Sequence, residues 1–184
     1  KAMKNGVWDK KGFSKGLELY NSTLGLVGFG RIAKEVAKRA LSFGMKVMFY
    51  DPYVGEDPAI TARKADLDAL CRESDFISLH IPYNEETAHI LNADRFAMMK
   101  KGVVIVNCGR GGTIDEAALQ AALDAGTVYS AALDVFETEP LTGADSPLIE
   151  NPRVVATPHI GAGTLGATNR IGAEVAEIIV DYFK

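Results

Sequence analysis

Three residues in the second half of the chain are of the types that acid–base reduction of a keto acid needs: Arg110, Glu139 and His159. Arg110 lies in Asn107-Cys-Gly-Arg-Gly-Gly112, among small residues that leave its guanidinium room to face a ligand. A planar fork of donors holds a carboxylate in bidentate geometry and polarises an adjacent carbonyl. His159 stands in Thr157-Pro-His-Ile-Gly161, directly after an apolar run. Imidazole is the side chain best able to deliver and recover a proton near neutral pH, and such a group is worth roughly 10²–10⁴ in rate. Glu139, in Asp134-Val-Phe-Glu-Thr-Glu-Pro140, is suited to orient that ring and favour imidazolium. Each residue also has a plainer reading. Arg110 fits a surface arginine in a glycine turn, His159 a satisfied core or loop histidine, and Glu139 a solvated loop charge.

Other groups are weaker candidates. His80 ends an apolar run and is placed to line a cleft without reacting. His89 lies in the polar stretch 84–89 and reads as a solvated surface residue. Cys108 beside Arg110 reads as a small residue against a ligand rather than a nucleophile. No His/Cys/Asp/Glu cluster has metal-ligand spacing, and no serine sits in a nucleophile elbow.

The elements that must carry these groups alternate between strand and helix. Apolar runs at 23–27, 46–50, 76–79, 103–106, 129–135 and 153–156 predict six strands, the fourth buried on both faces. Helical periodicity predicts helices over 31–42, 66–73, 93–99, 116–125 and 164–182, with Asp115 as an N-cap and Gly126 as a stop. Such alternation implies an α/β fold, a Rossmann-type doubly wound parallel sheet with right-handed crossovers. Ligands bind such sheets beyond the carboxyl ends of the strands. Asp51, His80, Arg110, Asp134 and His159 all follow predicted strands.

The first of these units is the most specific. Thr23-Leu-Gly-Leu-Val-Gly-Phe-Gly-Arg-Ile-Ala33 reads as strand, glycine turn and helix start, and Lys46-Val-Met-Phe-Tyr50 then runs into Asp51. Gly28 and Gly30 permit a tight turn and close approach of a pyrophosphate to the backbone, while small Ala33 lets the helix pack on the sheet. The helix N-terminus directs free N–H groups and the positive dipole end at the phosphates. Asp51 suits the ribose hydroxyls of NAD and repels the extra phosphate of NADP. The pattern predicts dinucleotide binding.

Bulk properties exclude other classes. At 184 residues, with 47% apolar and 24% charged residues, the chain has an ordinary globular composition. A net charge of −4 offers no footprint for nucleic acid or an anionic membrane. No apolar run has the length of a membrane span. Cys71 and Cys108 build neither a disulfide framework nor a zinc site, and two free thiols point to a reducing compartment, with the cytoplasm as the expectation.

Taken together, the segments resemble the nucleotide-binding domain of the D-isomer-specific 2-hydroxyacid dehydrogenases. The landmarks are Gly28-Phe-Gly-Arg-Ile-Ala33, Tyr50-Asp-Pro52, His80-Ile-Pro82, Asn107-Cys-Gly-Arg-Gly111, Ala132-Leu-Asp-Val-Phe136, Glu139-Pro140 and Thr157-Pro-His-Ile-Gly161. The resemblance implies that Arg110 binds the substrate carboxylate and carbonyl, His159 is the general acid/base, and Glu139 is bonded to it. It implies NAD as cofactor, with Gly28, Gly30, Arg31 and Ile32 at the pyrophosphate and Asp51 at the ribose. Pro82, Cys108, Gly109, Asp134, Gly161 and Ala162 complete the cofactor set, Asp134 on the carboxamide. Within the family the chain looks most like the D-3-phosphoglycerate dehydrogenases, which implies 3-phosphoglycerate and phosphohydroxypyruvate as substrates. Gly166 stands where that pattern commonly has an acidic residue. The resemblance further implies a single cofactor domain over 1–184 with most of a substrate domain absent. Residues 1–8 and 163–184 would then be inter-domain helices, and a homodimer would form through this domain. An NAD-sensing, corepressor-like interaction module on the same fold is the alternative.

Overall fold

The computed structural model describes residues 2–141 and 146–184. Seven parallel strands form one sheet: β1 (Thr23–Val27), β2 (Lys46–Tyr50), β3 (Arg63–Lys64), β4 (Phe76–Leu79), β5 (Val103–Asn107), β6 (Val128–Leu133) and β7 (Val154–Ala156). Their order is β3-β2-β1-β4-β5-β6-β7, with β1 between β2 and β4. The chain therefore winds outward from β1 in both directions, and the carboxyl ends of β1 and β4 open a crevice where the order reverses. Two exposed, charged residues make up β3, so no apolar run announces this strand; it exists by pairing with Met48 and Phe49 of β2.

The helices follow the predicted spans closely. In α1 (Lys10–Phe13) there is only one turn, whereas α2 (Arg31–Ser42) is long and sets Ala33, Ala37 and Ala40 on its buried side. Those small residues let α2 sit close on β1 and β2, over a core that includes the stacked rings of Phe29 and Phe49. Side-chain caps start the next helices: Asp66 for α3 (Leu67–Glu73), Asn92 for α4 (Ala93–Met98) and Asp115 for α5 (Glu116–Asp124). Each cap accepts a backbone N–H three residues on, worth about 1 kcal/mol of helix stability. These helices cover the opposite face, in a second core built around Leu70, Ile77, Leu79, Leu91, Ile105, Leu119 and Leu123. Burying each such side chain contributes roughly 1.5–3 kcal/mol.

Two expectations change. β5 is buried on one face only: Val103, Ile105 and Asn107 are inside, while Val104 and Val106 are half-buried, because α2 does not reach this half of the sheet. The last helix, α7 (Leu165–Tyr182), follows one-turn α6 (Pro147–Glu150) and β7 and buries no residue. Its apolar stripe of Ile171, Val175, Ile178 and Ile179 is 48–62% exposed. At the other end, the expected helix over 1–8 is a single 3₁₀ turn at Met3–Asn5, and Lys1 lies outside the described residues.

Candidate active site

The glycine turn between β1 and α2 is shaped by its neighbours. Gly28 has φ +92, and a Cβ there would lie 2.7 Å from the His80 carbonyl oxygen, so only glycine fits. Gly30 caps α2 in extended conformation, and a Cβ built on it meets nothing within 4 Å. That side of the turn is open space beside the first N–H groups of α2, the arrangement a pyrophosphate needs. Arg31 and Ile32 are exposed on this first turn, Ile32 at 71%, on an otherwise well-packed helix.

Asp51, following β2, ties the turn to the second strand. Its Oδ2 accepts the Phe29 N–H at 2.8 Å, and its Oδ1 accepts those of Tyr53 and Val54, both at 2.9 Å. Partial burial raises this carboxyl, but the three backbone donors and the Lys64 charge outweigh it, and Asp51 titrates below the usual range. A carboxylate has about four acceptor positions. One remains, on Oδ2, for a ribose hydroxyl.

The Arg110 loop is fixed from beneath by Asn107, which is buried. Asn107 Nδ2 donates to the Arg110 carbonyl and to Thr113 Oγ1, both at 3.1 Å, and its Oδ1 accepts the Gly109 N–H at 3.0 Å. Thr113 Oγ1 donates to the same Arg110 carbonyl at 2.8 Å. Any side chain on Gly111 would run into the Phe136 carbonyl, so this glycine lets the loops after β5 and β6 touch. The exposed Arg110 guanidinium rests on the Gly109 carbonyl at 2.7 Å, a bond that a carboxylate ligand would outcompete. Asn107 and Thr113 position this loop. The residue types alone did not mark them, because their roles depend on contacts within the folded turn.

The His159 loop hangs from Asp134, which is 3% exposed. Asp134 Oδ1 accepts from Thr157 Oγ1 and from the Ile160 N–H, and Oδ2 accepts the Gly161 N–H at 2.8 Å. The Asp134 carbonyl also accepts the His159 N–H at 2.9 Å. Burial raises the carboxyl, yet the Thr157, Ile160 and Gly161 donors and the His159 charge bring it below its ordinary value. Most of its acceptor capacity thus holds the loop rather than facing a ligand. His159 itself has φ +51, a left-handed backbone uncommon outside glycine, and its Nδ1 lies 2.7 Å from Glu139 Oε2. Glu139 Oε1 accepts the Phe136 N–H at 2.9 Å, so the carboxylate is oriented at both oxygens. The His159 bond and the Phe136 donor outweigh burial and keep Glu139 ionised below the usual carboxyl range.

Arg110, Glu139 and His159 line one open cleft of about 510 Å³, together with Tyr83, His89 and Glu137. His89 is exposed, as its polar stretch predicts, and it also lines this cleft, with Nε2 3.0 Å from Glu137 Oε1. His80 is half-buried, its Nε2 bonded to Ser78 Oγ at 3.0 Å, and burial pushes its ring toward the neutral form. Pro82 is exposed on the next loop, where its carbonyl accepts from Thr87 Oγ1. Packing around the sulfur and the Asp134 charge push the Cys108 thiol up, which suits a contact residue rather than a nucleophile. Gly109 is half-buried, and Ala162 is exposed beside Gly161. Among the described residues no cluster is fit to hold a metal, and no helix is long and apolar enough to cross a membrane.

Known proteins are similar to nearly the whole chain. The chain is 54% identical over 179 residues to a hydroxypyruvate reductase of Thermotoga maritima, covering 97% of this chain and 58% of that protein. A D-3-phosphoglycerate dehydrogenase of Methanocaldococcus jannaschii is 48% identical over 181 residues, covering 97% of the chain and 34% of that protein. A crystal structure of D-lactate dehydrogenase from Aquifex aeolicus, complexed with NAD and lactic acid, superposes with TM-score 0.89 at 35% identity, over 99% of this chain and 59% of that one. The chain therefore spans 34% to 59% of the length of these three relatives. The family model for the D-isomer specific 2-hydroxyacid dehydrogenase NAD binding domain covers residues 1–161. With its seven-stranded parallel sheet, glycine turn and acid after β2, the chain belongs to that family of NAD-dependent dehydrogenases.

Proposed function

We propose that this chain forms the cofactor side of a cleft in which a 2-oxo acid and its D-2-hydroxy acid are interconverted. The carrying observation is the His159 Nδ1–Glu139 Oε2 contact of 2.7 Å in the same cleft as Arg110. Bound NAD supplies or accepts the hydride. Arg110 holds the substrate carboxylate in its fork and draws electron density from the neighbouring carbonyl. His159, its Nδ1 fixed by Glu139, presents Nε2 to the carbonyl oxygen and gives it a proton in reduction, recovering it in oxidation. Glu139 keeps the ring oriented and stabilises its cationic form. Gly28, Gly30, Arg31 and Ile32 meet the pyrophosphate and Asp51 the ribose. Pro82, Cys108, Gly109, Asp134, Gly161 and Ala162 would flank the nicotinamide, with Asp134 bonded to the Gly161 N–H.

The substrate is a three-carbon 2-oxo acid, with hydroxypyruvate and its 3-phosphate as the forms to compare; similar proteins are named for hydroxypyruvate and for D-3-phosphoglycerate. Residues 1–184 act as one cofactor domain, the opposite wall comes from polypeptide beyond it, and the assembly is a homodimer through this domain. The test is NADH oxidation by the complete protein against a panel of 2-oxo acids, with His159→Ala alongside. Reduction of a 2-oxo acid that His159→Ala abolishes without loss of NADH binding supports the reading. Equal losses of turnover and NADH affinity would count against a proton-transfer role.

A further inference from the structure

Glu139 sits on an exposed arm of chain, so what holds the root of that arm also sets the place of the carboxylate. Val135 and Phe136 are buried, and residues 137–140 after them are exposed. Among the described residues, the one hydrogen bond to the backbone of 137–140 runs from the Glu137 N–H to Glu116 Oε1, at 2.7 Å. The bond is returned: Glu137 Oε1 accepts the Glu116 N–H at 3.0 Å, and His89 Nε2 lies 3.0 Å from the same oxygen. Glu116 opens α5, whose Leu119 and Leu123 are fully buried, so the fixed end of this clamp belongs to the core. The His89 N–H donates to the Gly112 carbonyl at 2.8 Å, which ties the clamp to the Arg110 loop as well.

The consequence for Glu139 is geometric. The peptide between Phe136 and Glu137 presents the N–H that Glu116 holds and the carbonyl that packs against Gly111. One peptide earlier, the Phe136 N–H is the donor that orients Glu139 Oε1. With its root fixed on both edges, the arm brings Glu139 Oε2 back to His159 Nδ1. Without the Glu116 carboxylate, the Glu137 N–H turns to water, and only side-chain bonds of Glu137 and Glu139 hold the arm. Burial first, then the Glu137 and Glu139 charges, raise the Glu116 carboxyl, so Glu116 lies within electrostatic reach of the pair. All of these contacts lie within residues 89–159 and owe nothing to the opposite wall of the cleft.

We propose that Glu116 is a positioning residue for the His159–Glu139 pair, acting through the Glu137 backbone. The kinetic arm of its test rests on the 2-oxo acid reading of the cleft, and the spectroscopic arm does not. Both use the complete protein: turnover of hydroxypyruvate and its 3-phosphate with NADH, and the downfield proton resonance of His159 Nδ1. Glu116→Ala lowers kcat by about tenfold, the effect of one lost hydrogen bond to a charged group, with KM and NADH affinity within about twofold. The His159 Nδ1 resonance broadens in the same variant. Glu116→Gln, which keeps an acceptor for the Glu137 N–H, restores most of the rate and the resonance. In a Glu139→Ala background, Glu116→Ala costs no further rate, because the group it positions is gone. Equal losses in Glu116→Ala and Glu116→Gln, a loss that adds to that of Glu139→Ala, or a resonance unmoved in Glu116→Ala overturns the proposal. A wild type that reduces neither acid overturns the 2-oxo acid reading, and the resonance in the two Glu116 variants then decides the clamp by itself.

Discussion

Asp51 and Asp134 do the same structural work at two ends of the molecule, for different purposes. Each follows a parallel strand, each carboxylate accepts three hydrogen bonds from loop donors, and each is held below the ordinary carboxyl range. Asp51 remains half-exposed beside the glycine turn, with an acceptor position left for a ligand. Asp134 is 3% exposed and braces the segment that carries His159. On the proposed reading, one acid reads the cofactor and the other holds the proton-transferring histidine still. Burial separates the two roles more sharply than hydrogen-bond count does.

The largest expected effect comes from removing what Asp134 braces. His159→Ala should lower kcat by about 10²–10⁴ while leaving the dissociation constant for NADH within a few-fold, read by stopped-flow turnover and fluorescence titration. The brace itself comes next. Asp134→Ala strands the Ile160 and Gly161 N–H groups and the Thr157 hydroxyl, and should cost about 1–3 kcal/mol of stability along with a clear fall in kcat. Urea denaturation beside steady-state rates checks both. If stability falls and kcat does not, Asp134 braces the fold without holding His159 in place.

The same pair shows what a sequence can reveal. The first strand–turn–helix–strand unit, with Asp51 at its end, was readable because its parts are contiguous and each residue type has a local reason. Arg110, Glu139 and His159 were recognisable as types, and the structure sets them around one cleft. Their supports were not. Asn107 anchors its loop through a side chain folded under it, and Asp134 meets Thr157, Ile160 and Gly161 only because β6 and β7 pair in the sheet. His89 is exposed, as its polar stretch predicts, but its pairing with Glu137 was not readable because that residue comes from a distant loop. The edge strand Arg63–Lys64 carried no apolar pattern, since an exposed edge does not require one.

Asp51 offers a smaller and more selective effect. Asp51→Ala removes a negative charge from the ribose site and should narrow the preference for NAD over NADP by about tenfold or more, measured as the ratio of their dissociation constants. The ratio should not move in Asp134→Ala, since that carboxylate follows β6, on the other half of the sheet from the Asp51 turn. A ratio unaltered in Asp51→Ala would mean that another residue reads the ribose.

Acid should distinguish the two ends by the mildest effect. Asp51, Asp134 and Glu139 all titrate below their ordinary values in the folded chain, so each binds protons less readily than in the unfolded chain. Their stabilisation is complete above the unfolded carboxyl values near pH 4 and is lost as pH falls through the lower folded ones. Glu116 works with the opposite sign: burial first, then the Glu137 and Glu139 charges, raise it, so its cost is relieved as pH falls. Glu35, pushed down to about 2 by its bonds to Lys38 and Arg39, adds to the acid loss from an exposed helix face, where salt screens it. The urea midpoint should therefore be level from pH 7 to about 5 and fall below about 4. In high salt the remaining fall should be shallower in Asp134→Asn than in the wild type, and shallower by less in the half-exposed Asp51→Asn. Equal slopes in the two variants would show that burial does not separate these carboxylates after all.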